Sequence, residues 1–153
     1  MKPPHAHPRP AAGARSFACR VVSVEDLLFD GPLRLLVARG TLGELGIMAG
    51  HTPLLSALQP GPMELLHADG TRSVMYVSGG FLEVQPLQVT VLADTIERAE
   101  ALDAAAAEHA HQHALAELRA HPQGVDLLRI EIELQRALAQ LETLRRLHGQ
   151  ARH

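Results

Sequence analysis

At Asp94 the apolar residues of this chain change their spacing, and the two spacings require two kinds of backbone. Before it they alternate: Phe17, Cys19 and Val21 with Ala18 and Arg20; Leu33, Leu35 and Val37 with Arg34, Leu36 and Ala38; Val89, Val91 and Ala93 with Thr90 and Leu92. That is the period of half-buried strands. After it, Leu127, Leu134 and Leu141 fall seven apart, and Ile130, Ala137 and Leu144 fill the offset of three. That is the seam of a packed helix. The spacings predict an antiparallel β-sandwich or barrel over 16–94 joined end to end to a C-terminal α-helical hairpin over 95–153.

The punctuation agrees. Nine of the twelve glycines lie between Gly31 and Gly80, in turn clusters at Asp30-Gly31-Pro32, Gly50-His51-Thr52-Pro53, Pro60-Gly61-Pro62, Asp69-Gly70 and Gly79-Gly80. Asp69-Gly70 tolerates positive φ at both central turn positions, which predicts a β-hairpin of 63–67 with 72–78. Residues 99–119 hold nine Ala and no Gly or Pro; 121–124 (His-Pro-Gln-Gly) then break the helix, and Asp126 is placed to cap a second one. Ala107, Ala110, Ala114 and Leu118 offer the second helix a small-residue face, predicting an antiparallel two-helix hairpin about 30 Å long. The second helix also carries Leu128, Ile132, Leu138 and Leu147, more apolar surface than an Ala-rich partner can cover. Two coverings are open: the sandwich of the same chain, or another protein.

The 153 residues can bury a core unaided, and the single Cys19 excludes an intrachain disulfide framework and points to a reducing compartment. Its alternating position makes it a buried structural thiol. Fourteen basic against 17 acidic residues argue against a dedicated nucleic-acid surface. Residues 1–15 hold four Pro and no acidic residue and read as a disordered tail; their prolines forbid the amphipathic helix of a transit peptide.

No catalytic constellation is visible. Gly40, Gly43 and Gly46 match neither a dinucleotide fingerprint nor a phosphate loop, and no cysteine pair has zinc spacing. His109 and His113 share a helical face and supply half of a metal site, the basis of an alternative as a small metal-dependent hydrolase, but no carboxylate completes the metalloprotease pattern. The expectation is no catalytic residue, no metal and no cofactor. His51, in its Gly-His-Thr-Pro turn, is either a structural turn residue or a partner contact.

Three ordered segments, GELGIMAGHTPLL at 43–55, VSGGFLEVQP at 77–86 and VTVLAD at 89–94, closely resemble the epsilon subunit of bacterial F-type ATP synthases. The resemblance runs from Phe17 to Leu147. It implies a ten-stranded β-sandwich with two C-terminal helices, and a non-catalytic central-stalk (rotor) subunit of a proton-translocating enzyme, peripheral to the cytoplasmic face of the bacterial inner membrane. The implied partners are the gamma subunit, the c-ring loops and the catalytic alpha and beta subunits. Glu44 would face the c-ring loops, while Ser23 and His51 would lie toward gamma. The alternative for Glu44 is that it only keeps a Gly-rich loop soluble.

In this family the hairpin is either folded on the sandwich or extended into the catalytic head, where it hinders ATP hydrolysis. Arg129, Arg136, Arg145 and Arg146 would then meet acidic segments of the beta subunits; otherwise they form a solvated helix face. Some members bind ATP between the helices. Of that motif Glu97, Leu102, Asp103, Ala107 and Arg136 are present, but Ala106, His113 and Gln140 stand at basic positions. The resemblance thus implies a degenerate ATP motif, with an ATP-sensing subunit as the alternative function.

Overall fold

A computed structural model describes residues 15–150 of the chain. The proposed tail, residues 1–15, lies outside them but for Arg15. The described residues form nine strands and two helices. The strands are β1 (Phe17–Ser23), β2 (Leu27–Gly40), β3 (Gly43–Ile47), β4 (Leu54–Leu58), β5 (Gly61–His67), β6 (Arg72–Val77), β7 (Gly80–Val84), β8 (Gln88–Ala93) and β9 (Ile96–Arg98). A 3₁₀ turn, Ala99–Ala101, leads to α1 (Ala104–Arg119) and α2 (Val125–Gln150).

The strands form one hydrogen-bonded network in the order β1-β8-β7-β4-β2-β5-β6-β9, with β3 and β1 also on β2. The long β2 holds the layers together: its first half pairs with β1, its second half with β5 and β3. The sheet closes around Val21, Leu33, Leu36, Ile47, Met63, Leu65, Leu82 and Val91, all without solvent exposure. Cys19 lies among them, and burial, then the nearby Asp30 charge, push its thiol up to about 12. The thiol stays protonated and unreactive at neutral pH.

Several expectations need correction. The strands number nine among the described residues rather than the ten that the resemblance implies, and Asp30-Gly31-Pro32 is no turn: β2 runs through it, with Gly31 opposite Cys19 and Pro32 opposite Ala18. One pair, β1 with β8, is parallel, so the sandwich is not purely antiparallel. A bulge between Leu33 and Leu35 reverses the faces of β2, so that Leu36 and Ala38 are buried while Leu35 and Val37 are half-exposed. The sheet also continues past Asp94, since Ile96–Arg98 pairs with β6.

The Asp69-Gly70 hairpin forms as expected, joining β5 to β6, but only Gly70 takes positive φ, at 91°, so the turn is not the expected one with both central residues at positive φ. The Asp69 carboxylate accepts from both the Thr71 amide and hydroxyl, and these bonds hold it below the usual carboxylate range.

The helices are unequal, at 16 and 26 residues, so α2, about 39 Å long, outruns α1 by about 15 Å. Asp103 caps α1, accepting from the Ala106 amide at 3.0 Å. His121, at φ 55°, ends that helix with its amide on the Leu118 carbonyl. Asp126 lies inside the first turn of α2 rather than before it, where its charge still favours the helix dipole. The seam packs as expected at Ala107, Ala114, Ile130, Ala137 and Leu144, all buried; Ala110 instead faces a cleft.

Candidate functional site

The excess length of α2 lies against the sandwich, where it meets β5 and β6. Ala139 and Thr143 are buried there, and the Thr143 hydroxyl donates to the Ala139 carbonyl at 2.7 Å, so no polar atom of its side chain is orphaned. A cluster of charges closes this contact. The Arg146 guanidinium donates to Glu44 on β3 at 2.6 Å and to Glu64 on β5 at 2.9 Å, and lies 3.4 Å from Glu142 one helical turn back. Arg39 on β2 donates to the other oxygen of Glu142.

Two guanidiniums and three carboxylates thus tie one helix to three strands. Burial alone would raise the Glu142 carboxyl, but Arg39 and then Arg146 outweigh it and hold it below the usual range. Burial likewise opposes the charge on Arg146, while Glu44 and Glu64 more than restore it and push its pKa up. Glu142 and Arg146 therefore both stay charged at neutral pH.

A second feature is a cavity of about 630 Å³ between the helices and the start of the hairpin. The expected motif residues Glu97, Leu102, Asp103 and Arg136 converge on it, with His109, His113, Glu133 and Gln140. Three carboxylates face one guanidinium there, and the Asp103 carboxylate is engaged as the α1 cap. That charge balance disfavours a polyanion. Tyr76 is buried nearby; burial raises its phenol and Arg136 partly offsets the rise. The His109 and His113 rings stack with centroids 6.3 Å apart, and among the described residues no group of three or more His, Cys, Asp or Glu is placed to hold a metal. The hydrolase alternative therefore lacks a third ligand among them.

A third feature escaped the sequence reading. Val22 pairs with Leu92, Leu92 with Phe81, and Phe81 with Ala57, so one outer row crosses β1, β8, β7 and β4. Phe81 is 53% exposed and Leu92 51%, and Leu55, two positions from Ala57 on the same face, is 69% exposed. An outward apolar row of this kind marks a contact surface. Its signal was present in the alternation of β8, which turns Leu92 outward when Val89, Val91 and Ala93 turn inward.

The family model for the ATP synthase, Delta/Epsilon chain, beta-sandwich domain, matches residues 16–99. The ATP synthase epsilon chain of Chromohalobacter salexigens is 48% identical over 132 residues, covering 86% of this chain and 94% of that protein. The epsilon chain of Acinetobacter baumannii is 46% identical over 133 residues, covering 87% and 96%. This chain belongs to the ATP synthase epsilon chain family. In structure it is similar to a chain of the Euglena gracilis mitochondrial ATP synthase OSCP/F1/c-ring assembly, with TM-score 0.77 over 97% of this chain and 91% of that one at 21% identity, a likeness of fold.

As a member of the epsilon chain family it is a non-catalytic stalk subunit of ATP synthase. Among the described residues no helix is long and apolar enough to cross a membrane. Of the residues that the epsilon resemblance singled out, the structure joins Glu44 with Arg146 and gathers Glu97, Leu102, Asp103 and Arg136 at the cleft. Ser23 ends β1, where its hydroxyl accepts from the amides of Glu25 and Asp26. His51 has Nδ1 2.7 Å from the Thr52 carbonyl, which fixes its ring in the turn before β4. Arg129 is exposed and bridges Glu117 on α1 and Glu133 on its own helix; Arg145 is exposed.

Proposed function

We propose that this chain is a central-stalk rotor subunit of a proton-translocating F-type ATP synthase, coupling gamma to the c-ring and restraining ATP hydrolysis through its C-terminal helices. The observation that carries this is an identity of 48% over 132 residues, a length that takes in both sandwich and hairpin. The outer row of Leu55, Phe81 and Leu92 supplies the apolar surface for gamma. Glu44, beside the fully exposed Leu42 and near the exposed Met48, supplies the face for c-ring loops. The arginines of α2 and the exposed Leu128, Ile132 and Leu138 suit the catalytic subunits once the hairpin lifts. The complex would hold the chain peripherally at the cytoplasmic face of the bacterial inner membrane. Co-purification with gamma and the catalytic subunits tests this assignment; a chain that assembles with neither contradicts it.

A second reading, ATP sensing, is favoured by one observation: the motif residues do meet at one cavity. The charge balance weighs against it. Each charge-assisted bond lost with a guanidinium forgoes about 1.5–3 kcal/mol, so Ala106, His113 and Gln140 leave a polyanion without enough partners. Calorimetry of the purified chain is expected to show no saturable binding at micromolar ATP, and a saturable signal in that range would restore the sensor.

A further inference from the structure

We infer that Glu44 is an exchangeable member of the charge cluster, so that a cationic group presented to β3 by a partner draws it from Arg146 and loosens the hold of the sandwich on α2. The c-ring is the partner considered, and that part rests on the function proposed above; the intramolecular part does not.

The geometry sets the order of exchange. Arg146 reaches three carboxylates, and they differ in access: the side chain of Glu44 is 51% exposed, Glu142 27% and Glu64 19%. Glu64 is shielded between β5 and α2, and Glu142 is held a second time by Arg39. Glu44 stands on β3, which among the described strands pairs only with β2, and half of its side chain is open to solvent. A guanidinium, ammonium or amide arriving there competes with Arg146 for the same oxygens. If it wins, Arg146 keeps two acceptors and α2 keeps its buried contact at Ala139 and Thr143, but with a weaker lock. Rotor contact and hairpin release are thus two uses of one carboxylate, coupled by competition.

The test uses the buried Thr143, whose side chain is reached only when α2 lifts from the sheet. In full-length chain carrying Thr143→Cys, the labelling rate of the new thiol reports lifting, and native Cys19, 1% exposed in the sandwich, reports global unfolding in the same sample. Glu44→Gln is expected to raise the labelling rate about fivefold, and Arg146→Gln about tenfold, with Cys19 still protected. Together they should raise it little more than Arg146→Gln alone, since they remove one shared interaction. Arg145→Gln, on the exposed neighbour, should leave it unchanged. Hydrogen–deuterium exchange along α2 in chains with native Thr143 should give the same ranking.

An unchanged rate in either single variant, or fully multiplicative effects in the double, overturns the cluster as a lock. Purified c-ring is then added. Binding with faster labelling that disappears in Glu44→Gln supports the exchange, and binding without faster labelling overturns it. A c-ring that does not bind contradicts the c-ring assignment while leaving the intramolecular result standing.

Discussion

Replacing Phe81 and Leu92 together by Asp is expected to abolish association with gamma while leaving the chain folded. The two residues pair across β7 and β8 with half their surface in solvent, so in the free chain a carboxylate at either position remains hydrated. The cost to the sandwich is strand propensity, about 1 kcal/mol per position, together with the repulsion of two like charges at paired positions, up to about 1 kcal/mol more. In a closed interface the same carboxylates are stripped of water opposite an apolar partner. Each uncompensated charge then costs several kcal/mol, and the pair together about 5 kcal/mol or more, a factor of several thousand in affinity. Pull-down of gamma checks the loss, and circular dichroism checks that the fold survives. Undiminished binding by a folded double variant would remove this row from the gamma interface.

The second large effect is on folding. Gly80 has φ 129°, and a Cβ built there would sit 2.1 Å from the Leu92 carbonyl oxygen and 2.8 Å from the Ala93 Cα. Both are backbone atoms of the paired strand β8, and neither can rotate away. Gly80→Ala therefore combines backbone strain with a collision that only parting β7 from β8 relieves. The expected loss is about 3–5 kcal/mol, a large share of the stability of a domain this size, and roughly 15–25 °C in Tm. Gly43 has a similar φ, 132°, but nothing lies within 4 Å of its Cβ position. Gly43→Ala should lose only the conformational part, about 1–3 kcal/mol. Equal losses at the two sites would show that the collision with β8 is not what Gly80 avoids.

Local chemistry was legible in the sequence, and long-range pairing was not. The Asp69-Gly70 hairpin follows from local turn chemistry, a glycine at positive φ and an aspartate that accepts from Thr71, and α1 ends before a recognisable Pro-Gln-Gly break. Asp30-Gly31-Pro32 carries the same turn composition, yet β1 captures it as strand, with Cys19 opposite Gly31. The bulge that buries Leu36 in place of Leu35 is set by register against β5, which no periodicity within β2 records. The parallel pairing of β1 with β8 joins segments about 70 residues apart.

The same division runs through the candidate site. Glu97, Asp103 and Arg136 match one motif, and they do face one cavity. The resemblance assigns Glu44 and Arg146 to different partners, and their contact with one another spans 102 positions. The surplus apolar surface of α2 was legible as a quantity. The structure divides it: Leu147 is half-buried, whereas Leu128, Ile132 and Leu138 remain exposed. Covering by the chain itself thus accounts for only part of that surface, and the exposed part is what a lifted hairpin would offer the catalytic subunits.

The most direct test of the inhibitory role is the ATPase rate of the catalytic head reconstituted with the full chain or with a chain ending after Ala101. That end point preserves β9 and its pairing with β6, so the sandwich keeps every strand while both helices are removed. With equal amounts of subunit shown to be bound, the truncated form is expected to give the faster hydrolysis. Equal rates in the two complexes would contradict the role assigned to the helices.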